Sequence, residues 1–227
     1  MIPAADCVVF DLDDTVYLER DYVQSGFRAA DEWASTELGV THFGERAWDR
    51  FEAGGRGTIF DDVLRDCGVE PSPRIVLALV DVYRRHEPAI ELLPDAARIV
   101  EALAPLVALA VVTDGPVESQ RAKARALGVD QWARTIVFTA ELGDIYAKPH
   151  PRAFEGVEQV FGVPGARCVY IADNPAKDFA GPRARRWKTV RVRRPMSLHA
   201  ATPSGPDVDL EVGDFRDLAG LLATLDR

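Results

Sequence analysis

The chain has 227 residues, 47% of them apolar and 28% charged, with 27 basic against 36 acidic side chains for a formal charge of −9. That length holds one good core, or one core with a smaller inserted unit, and the composition excludes disorder over the whole chain. The acidic balance repels polyanions, so neither nucleic acid nor an anionic membrane is expected as a partner; a small anion can still be held where cations gather locally.

From the N-terminus, no basic region leads into an apolar stretch and cleavage site, and no apolar run approaches the roughly 20 residues that span a bilayer. A cytoplasmic protein is the expectation. CVVF (7–10) reads as a strand running straight into Asp11. Over 90 residues without a convincing strand follow, too long for a structureless loop in a compact domain. Residues 22–38 place Val23, Phe27, Ala30, Ala34 and Leu38 at helical spacing, and 59–67 and 74–86 repeat that character. Residues 18–90 are therefore predicted to be a helical insert, interrupted by the Gly-rich AGGRGT (53–58), with EPAIELLPDA as the return. Trp33 and Trp48 are expected in its core.

Four more apolar runs come next: LVALAVVT (106–113), TIVF (135–138), CVYIA (168–172) and TVRV (189–192). They are β-branched and mostly uninterrupted, as parallel strands covered on both faces require. Helical patterns fall at 95–104, 116–127, 151–161 and near 214–225, with Gly128 and Gly162 where helices should end. The stretch 194–213, rich in Pro, Ser and Asp, reads as irregular surface chain. This alternation predicts an α/β fold, a Rossmann-like doubly wound parallel sheet built from 1–17 and 91–227.

Cys7, Cys67 and Cys168 show no metal or disulfide spacing, and Cys7 and Cys168 lie in apolar runs as small buried hydrophobes. His42, His86, His150 and His199 are scattered; only His150 stands close in sequence to a candidate site residue, Lys148. Arg183, Arg185, Arg186 and Lys188 read as a solvated helix end before a strand. Asp11, Asp13 and Asp14 are different. Three acids in four residues repel unless a cation or a proton shares the site, and a hard divalent cation such as magnesium satisfies oxygen ligands. Alone, the cluster is equally a solvated turn or a helix N-cap. The other strand ends shift that balance. Asp173 follows CVYIA directly with Asp178 five residues on, Thr113 and Asp114 end LVALAVVT, and Lys148 follows TIVF. Parallel strands bring their C-terminal ends, where ligands bind, to one edge.

DLDDT at 11–15 is similar to the DxDxT signature of the haloacid dehalogenase superfamily. VVTDG (111–115) resembles its second motif, KPHPRAF (148–154) its lysine motif, and YIADNPAKD (170–178) its acidic motif, with Ala172 where Gly is usual. All four occur in order, and the insert 18–90 falls where the family places its helical C1 cap. The resemblance implies that Asp11 attacks phosphorus to form an aspartyl-phosphate. Asp13 would protonate the leaving oxygen and later take a proton from water. Magnesium would be held by the Asp11 carboxylate, the Asp13 backbone carbonyl and Asp173. Thr113, Asp114 and Lys148 would contact the phosphoryl group, and Asp178 would orient Lys148 or a metal-bound water. Tyr17 and Arg20, just past DLDDT, would read the leaving group together with the cap; Arg56 in the Gly-rich loop could pair with a phosphate or carboxylate, or is equally the solvated arginine of an ordinary helix–helix turn. The dehalogenases lack an acid at the position of Asp13, so the resemblance favours a phosphatase acting on a small phosphorylated metabolite of the sugar-phosphate or nucleoside monophosphate kind. A phosphotransferase, a dehalogenase or a non-catalytic binding protein are the alternatives, and a monomer or homodimer is expected.

Overall fold

Cys7–Phe10 forms β1, and its four apolar side chains are fully buried because the strand lies inside a six-stranded sheet. The structure, a computed structural model, describes residues 5–216, 218 and 220. β2 (Ala108–Thr113) and β4 (Cys168–Ala172) flank β1, β3 (Thr135–Phe138) lies beyond β2, and β5 (Lys188–Val192) and β6 (Leu210–Val212) lie beyond β4. Every pairing is parallel. Phe10 stands opposite both Val111 and Ile171, so the chain leaves β1 at Asp11, β2 at Asp114 and β4 at Asp173 on the same edge.

The chain divides into two compact units, Met1–Glu19 with Glu91–Arg227, and Arg20–Ile90. The second is helical: α1 (Glu19–Leu38, whose first residue belongs to the sheet unit), α2 (Phe43–Glu52), α3 (Ile59–Asp66) and α4 (Pro73–Arg85). Phe27, Phe43, Phe51, Leu64 and Leu79 form its core, with Trp33 and Trp48 packed against them half-buried. α2 was not anticipated. Phe43, Ala47 and Phe51 do recur at helical spacing, but the helix is only 10 residues long and starts after His42, a left-handed residue that offers no side-chain cap. α4 carries the usual start signal, with Ser72 accepting from the Ile75 N–H and proline at the first turn.

The sheet unit adds α5 (Pro94–Leu103), α6 (Val117–Ala126), α7 (Thr139–Leu142), α8 (Arg152–Phe161) and α9 (Ala180–Ala184). One core packs Cys7, Val9, Ala110, Val112 and Tyr170 against Phe154 and Val157 of α8 and against Trp187. The alternating side chain of Phe10 instead meets Trp132 and Phe215 edge-on, at 6.1 and 6.0 Å. Gly162 caps α8 at φ 65°, the left-handed conformation expected there. The stretch 194–213 is not wholly irregular. Leu210–Val212 pairs with Val190–Val192, and Asp209 accepts from the Thr189 backbone N–H and hydroxyl just ahead of it. Three residues carry too little pattern to announce a strand; the partner edge supplies it. The helix expected near 214–225 lies mostly outside the described residues.

Candidate active site

Lys148 lies between α7 and α8 with its side chain fully buried. Its Nζ stands 2.9 Å from Asp11 Oδ1, 2.8 Å from Asp178 Oδ1 and 3.0 Å from the Tyr170 hydroxyl. Burial opposes the ammonium, but Asp11 and Asp178 outweigh it and hold the lysine well above its ordinary pKa. The Tyr170 hydroxyl donates its own hydrogen bond to the Val112 carbonyl at 3.2 Å. The buried lysine therefore has defined partners and a fixed place.

The carboxylates around it outnumber it. Burial raises Asp11 to about 6 against the pull of Lys148. Burial, then the charges of Asp178, Asp11 and Asp14, raises Asp173 to about 9. Asp173 Oδ2 is buried without a hydrogen-bond partner, a costly state for a carboxylate oxygen. Asp11, Asp173 and Asp178 each bring a carboxylate oxygen within 4.8 Å of the other two. An all-oxygen, acid-rich set with an orphaned lone pair fits a hard divalent cation such as magnesium and does not fit a structural zinc. The Asp178 carboxylate belongs to this set and the Asp13 carboxylate does not, in keeping with a part for Asp13 through its backbone carbonyl only.

Asp13 turns toward α6. Its Oδ1 accepts from the Tyr17 hydroxyl and from Lys123 Nζ at 2.7 Å, and its Oδ2 accepts from Gln120 Nε2 at 3.0 Å. Burial works against its charge, but Lys123, Tyr17 and Gln120 prevail and hold it below the usual carboxylate range. The Tyr17 side chain is turned to Asp13. It is fully buried with its hydroxyl committed to Asp13, and burial and Asp13 keep its phenol protonated. Asp114 is likewise engaged within the protein. Its carboxylate accepts from Thr139 Oγ1 at 2.6 Å and from the Lys148 backbone N–H at 3.1 Å, and pairs with Lys177 at 3.3 Å. Its side chain anchors the lysine loop and presents no donor to an anion. Thr113 donates to Gln120 Oε1 at 3.2 Å.

In the helical unit, Arg20 pairs with Glu52 at 2.9 Å and lies over the Trp48 ring. The Arg56 guanidinium donates to the Phe51 and Gly55 carbonyls and sits 4.1 Å from the Phe51 ring centre. Both arginines are engaged by their own unit, and Arg56 acts as a staple of the glycine loop.

Gln120, Lys123 and Tyr170 escaped sequence reading. Gln120 and Lys123 are three apart on the helix after VVTDG and so share a face, but polar residues on a short helix ordinarily face water. Tyr170 was legible only as a polar tip inside an apolar strand. Arg191 is comparable: an arginine within TVRV, fully buried, whose Nε donates to the Asp173 carbonyl at 2.9 Å.

Residues 5–184 match the family of haloacid dehalogenase-like hydrolases. A glyceraldehyde 3-phosphate phosphatase of Methanopyrus kandleri is 28% identical over 96% of this chain and 97% of its own length. A phosphoserine phosphatase of Thermus thermophilus is 29% identical over 77% of this chain and 72% of its own. Among solved structures, a magnesium-bound HAD hydrolase of Bacillus subtilis, YfnB, superposes with a TM-score of 0.71 at 19% identity, over 96% of this chain and 98% of that one.

Proposed function

The chain belongs to the haloacid dehalogenase-like hydrolases and is a phosphoric monoester hydrolase; from that premise we propose that it acts through Asp11 as a covalent nucleophile, with magnesium, on a small phosphorylated metabolite. The observation that carries the reading is the separation of two neighbouring aspartates, one buried and one partly buried, into two environments. Asp11 is bound to Lys148 beside Asp173 and Asp178, and Asp13 is held by Tyr17, Gln120 and Lys123. Environments that push neighbouring acids apart assign them different roles.

Asp11, Asp173 and Asp178 would hold the metal, which when bound supplies positive charge against the phosphoryl oxygens. Asp11 forms the new bond to phosphorus as the ester P–O bond breaks, and Asp13 passes a proton to the departing oxygen. Lys123 keeps Asp13 ionised in the free protein, so that proton enters with the substrate as the ester monoanion. In the second half, water attacks phosphorus, Asp13 takes its proton, and Asp11 is released. Lys148 fixes Asp11 and balances the charge of the transferred group. The acid at position 13 favours an ester, whose leaving oxygen needs a proton, over a carbon–halogen bond. The helical unit Arg20–Ile90 serves as the cap; among the described residues no helix is long and apolar enough to cross a membrane.

Hydrolysis of p-nitrophenyl phosphate, with and without EDTA and magnesium, tests this reading. Chelation should abolish turnover and magnesium restore it. Asp11→Asn should lose at least about 10³-fold in kcat. Wild-type-like turnover in that variant, or full activity after exhaustive chelation, would refute the mechanism. A panel of sugar phosphates, triose phosphates and nucleoside monophosphates then selects the substrate.

A further inference from the structure

Gln120 and Lys123 are each 3% exposed, although a helix of this length needs no buried amide or ammonium for its own stability. Both are turned to one carboxylate. Lys123 Nζ lies 2.7 Å from Asp13 Oδ1, and Gln120 Nε2 lies 3.0 Å from Asp13 Oδ2. An ionised carboxylate only accepts, so the amide must offer its NH2 to Asp13. That choice leaves Gln120 Oε1 for the Thr113 hydroxyl, at 3.2 Å. The turn after β2 is shaped around this amide: Gly115 has φ 129°, and a Cβ on it would stand 2.8 Å from Gln120 Nε2. Both oxygens of Asp13 are thus gripped from α6, and the same amide reaches the threonine that ends β2.

We propose that Gln120 and Lys123 are positioning residues for the acid–base step of Asp13, with Gln120 joining Asp13 and Thr113 into one unit. The inference rests on the phosphatase reading above. Proton transfer needs the donor and acceptor within about 2.6–3.2 Å, and a free aspartate explores several rotamers. Two donors on opposite oxygens remove that freedom before substrate arrives.

The test compares Lys123→Met, Gln120→Leu and the conservative Lys123→Arg on two substrates in rapid-mixing experiments. From glycerol phosphate the leaving group is the glycerol alkoxide, which needs a proton; p-nitrophenolate leaves without one. In Lys123→Met and Gln120→Leu, the first step on glycerol phosphate should slow by about 10²-fold, the scale of a general acid's contribution, with KM nearly unchanged. First-step release of p-nitrophenolate should stay within about three-fold, and should appear as a burst because the hydrolytic step still needs Asp13 as base. Lys123→Arg should recover part of the loss. Equal slowing of both first steps, or no slowing of either, overturns the proposal. Should Lys123→Met fail to fold by circular dichroism, Gln120→Leu decides alone, since it removes no charge. Asp11→Asn separates the two levels: its activity would sink the phosphatase mechanism, whereas an inactive Asp11→Asn beside an unaffected Gln120→Leu sinks only the positioning role.

Discussion

Asp173 offers the most quantitative test of the metal site. Its carboxyl is raised from an ordinary 3.8 to about 9 by burial and by the charges of Asp178, Asp11 and Asp14. Between those values the unfolded chain has released the proton while the metal-free folded protein keeps it. Stability must therefore fall as pH rises, by about 1.4 kcal/mol per pH unit. From about pH 7 to about pH 8.5 the loss is about 2 kcal/mol, or roughly 4–8 °C in Tm for a chain of this size. Asp11, raised to about 6, has largely titrated below that window. Asp173→Asn keeps the shape and removes the titration. Urea and thermal unfolding in EDTA should show wild type losing about 2 kcal/mol more than the variant across the window. Magnesium at about 100 times its Kd should add about 2.7 kcal/mol to wild type and much less to Asp173→Asn. Parallel pH profiles in EDTA, or equal stabilisation of both proteins by magnesium, would refute the reasoning.

Two further outcomes follow from packing. Phe154, fully buried with ring contacts to Tyr170 at 4.9 Å and Trp187 at 5.3 Å, should cost about 3–5 kcal/mol on substitution to alanine, read as a shift in the urea midpoint. Arg56→Ala should lower stability by about 1 kcal/mol, the scale of an exposed cation–π contact, and leave KM within about two-fold on every substrate. A KM effect specific to one substrate would return Arg56 to the binding surface.

What the sequence revealed follows from how far each signal reaches along the chain. β1, β3 and β4 match the apolar runs CVVF, TIVF and CVYIA residue for residue; in β1 and β4 burial on both faces leaves a continuous local signature, while β3, a half-buried edge strand, keeps its β-branched Thr135, Ile136 and Val137. β6 depends on pairing with β5, and α2 on packing against Phe27 and Leu64, neither of which a short window contains. The same divide runs through the site. Asp11 and Asp173 were visible because each directly follows a strand, and parallel topology brings those two ends together; Lys148 and Asp178 lie farther along the loops after β3 and β4 and were legible through the KPHPRAF and YIADNPAKD motifs. The roles of Tyr17, Gln120 and Lys123 were not visible, because which way a helix or turn side chain points is fixed only by what packs against it.

The distribution of cations at this edge explains why the two groups of acids cannot exchange roles. Lys148 is shared between Asp11 and Asp178, Lys123 pairs with Asp13, and Lys177 pairs with Asp114. That leaves the Asp173 side chain with no ion pair among the described residues and with one buried oxygen unpartnered. A second cation beside Asp13 would be redundant, since its charge is already balanced and both of its oxygens are bound. A cation beside Asp173 would relieve a buried carboxylate that has no ion pair among the described residues. On the mechanism proposed above, the uneven supply of lysines would direct a divalent ion to the side of Asp11 and leave Asp13 held against α6, although the two are only two residues apart.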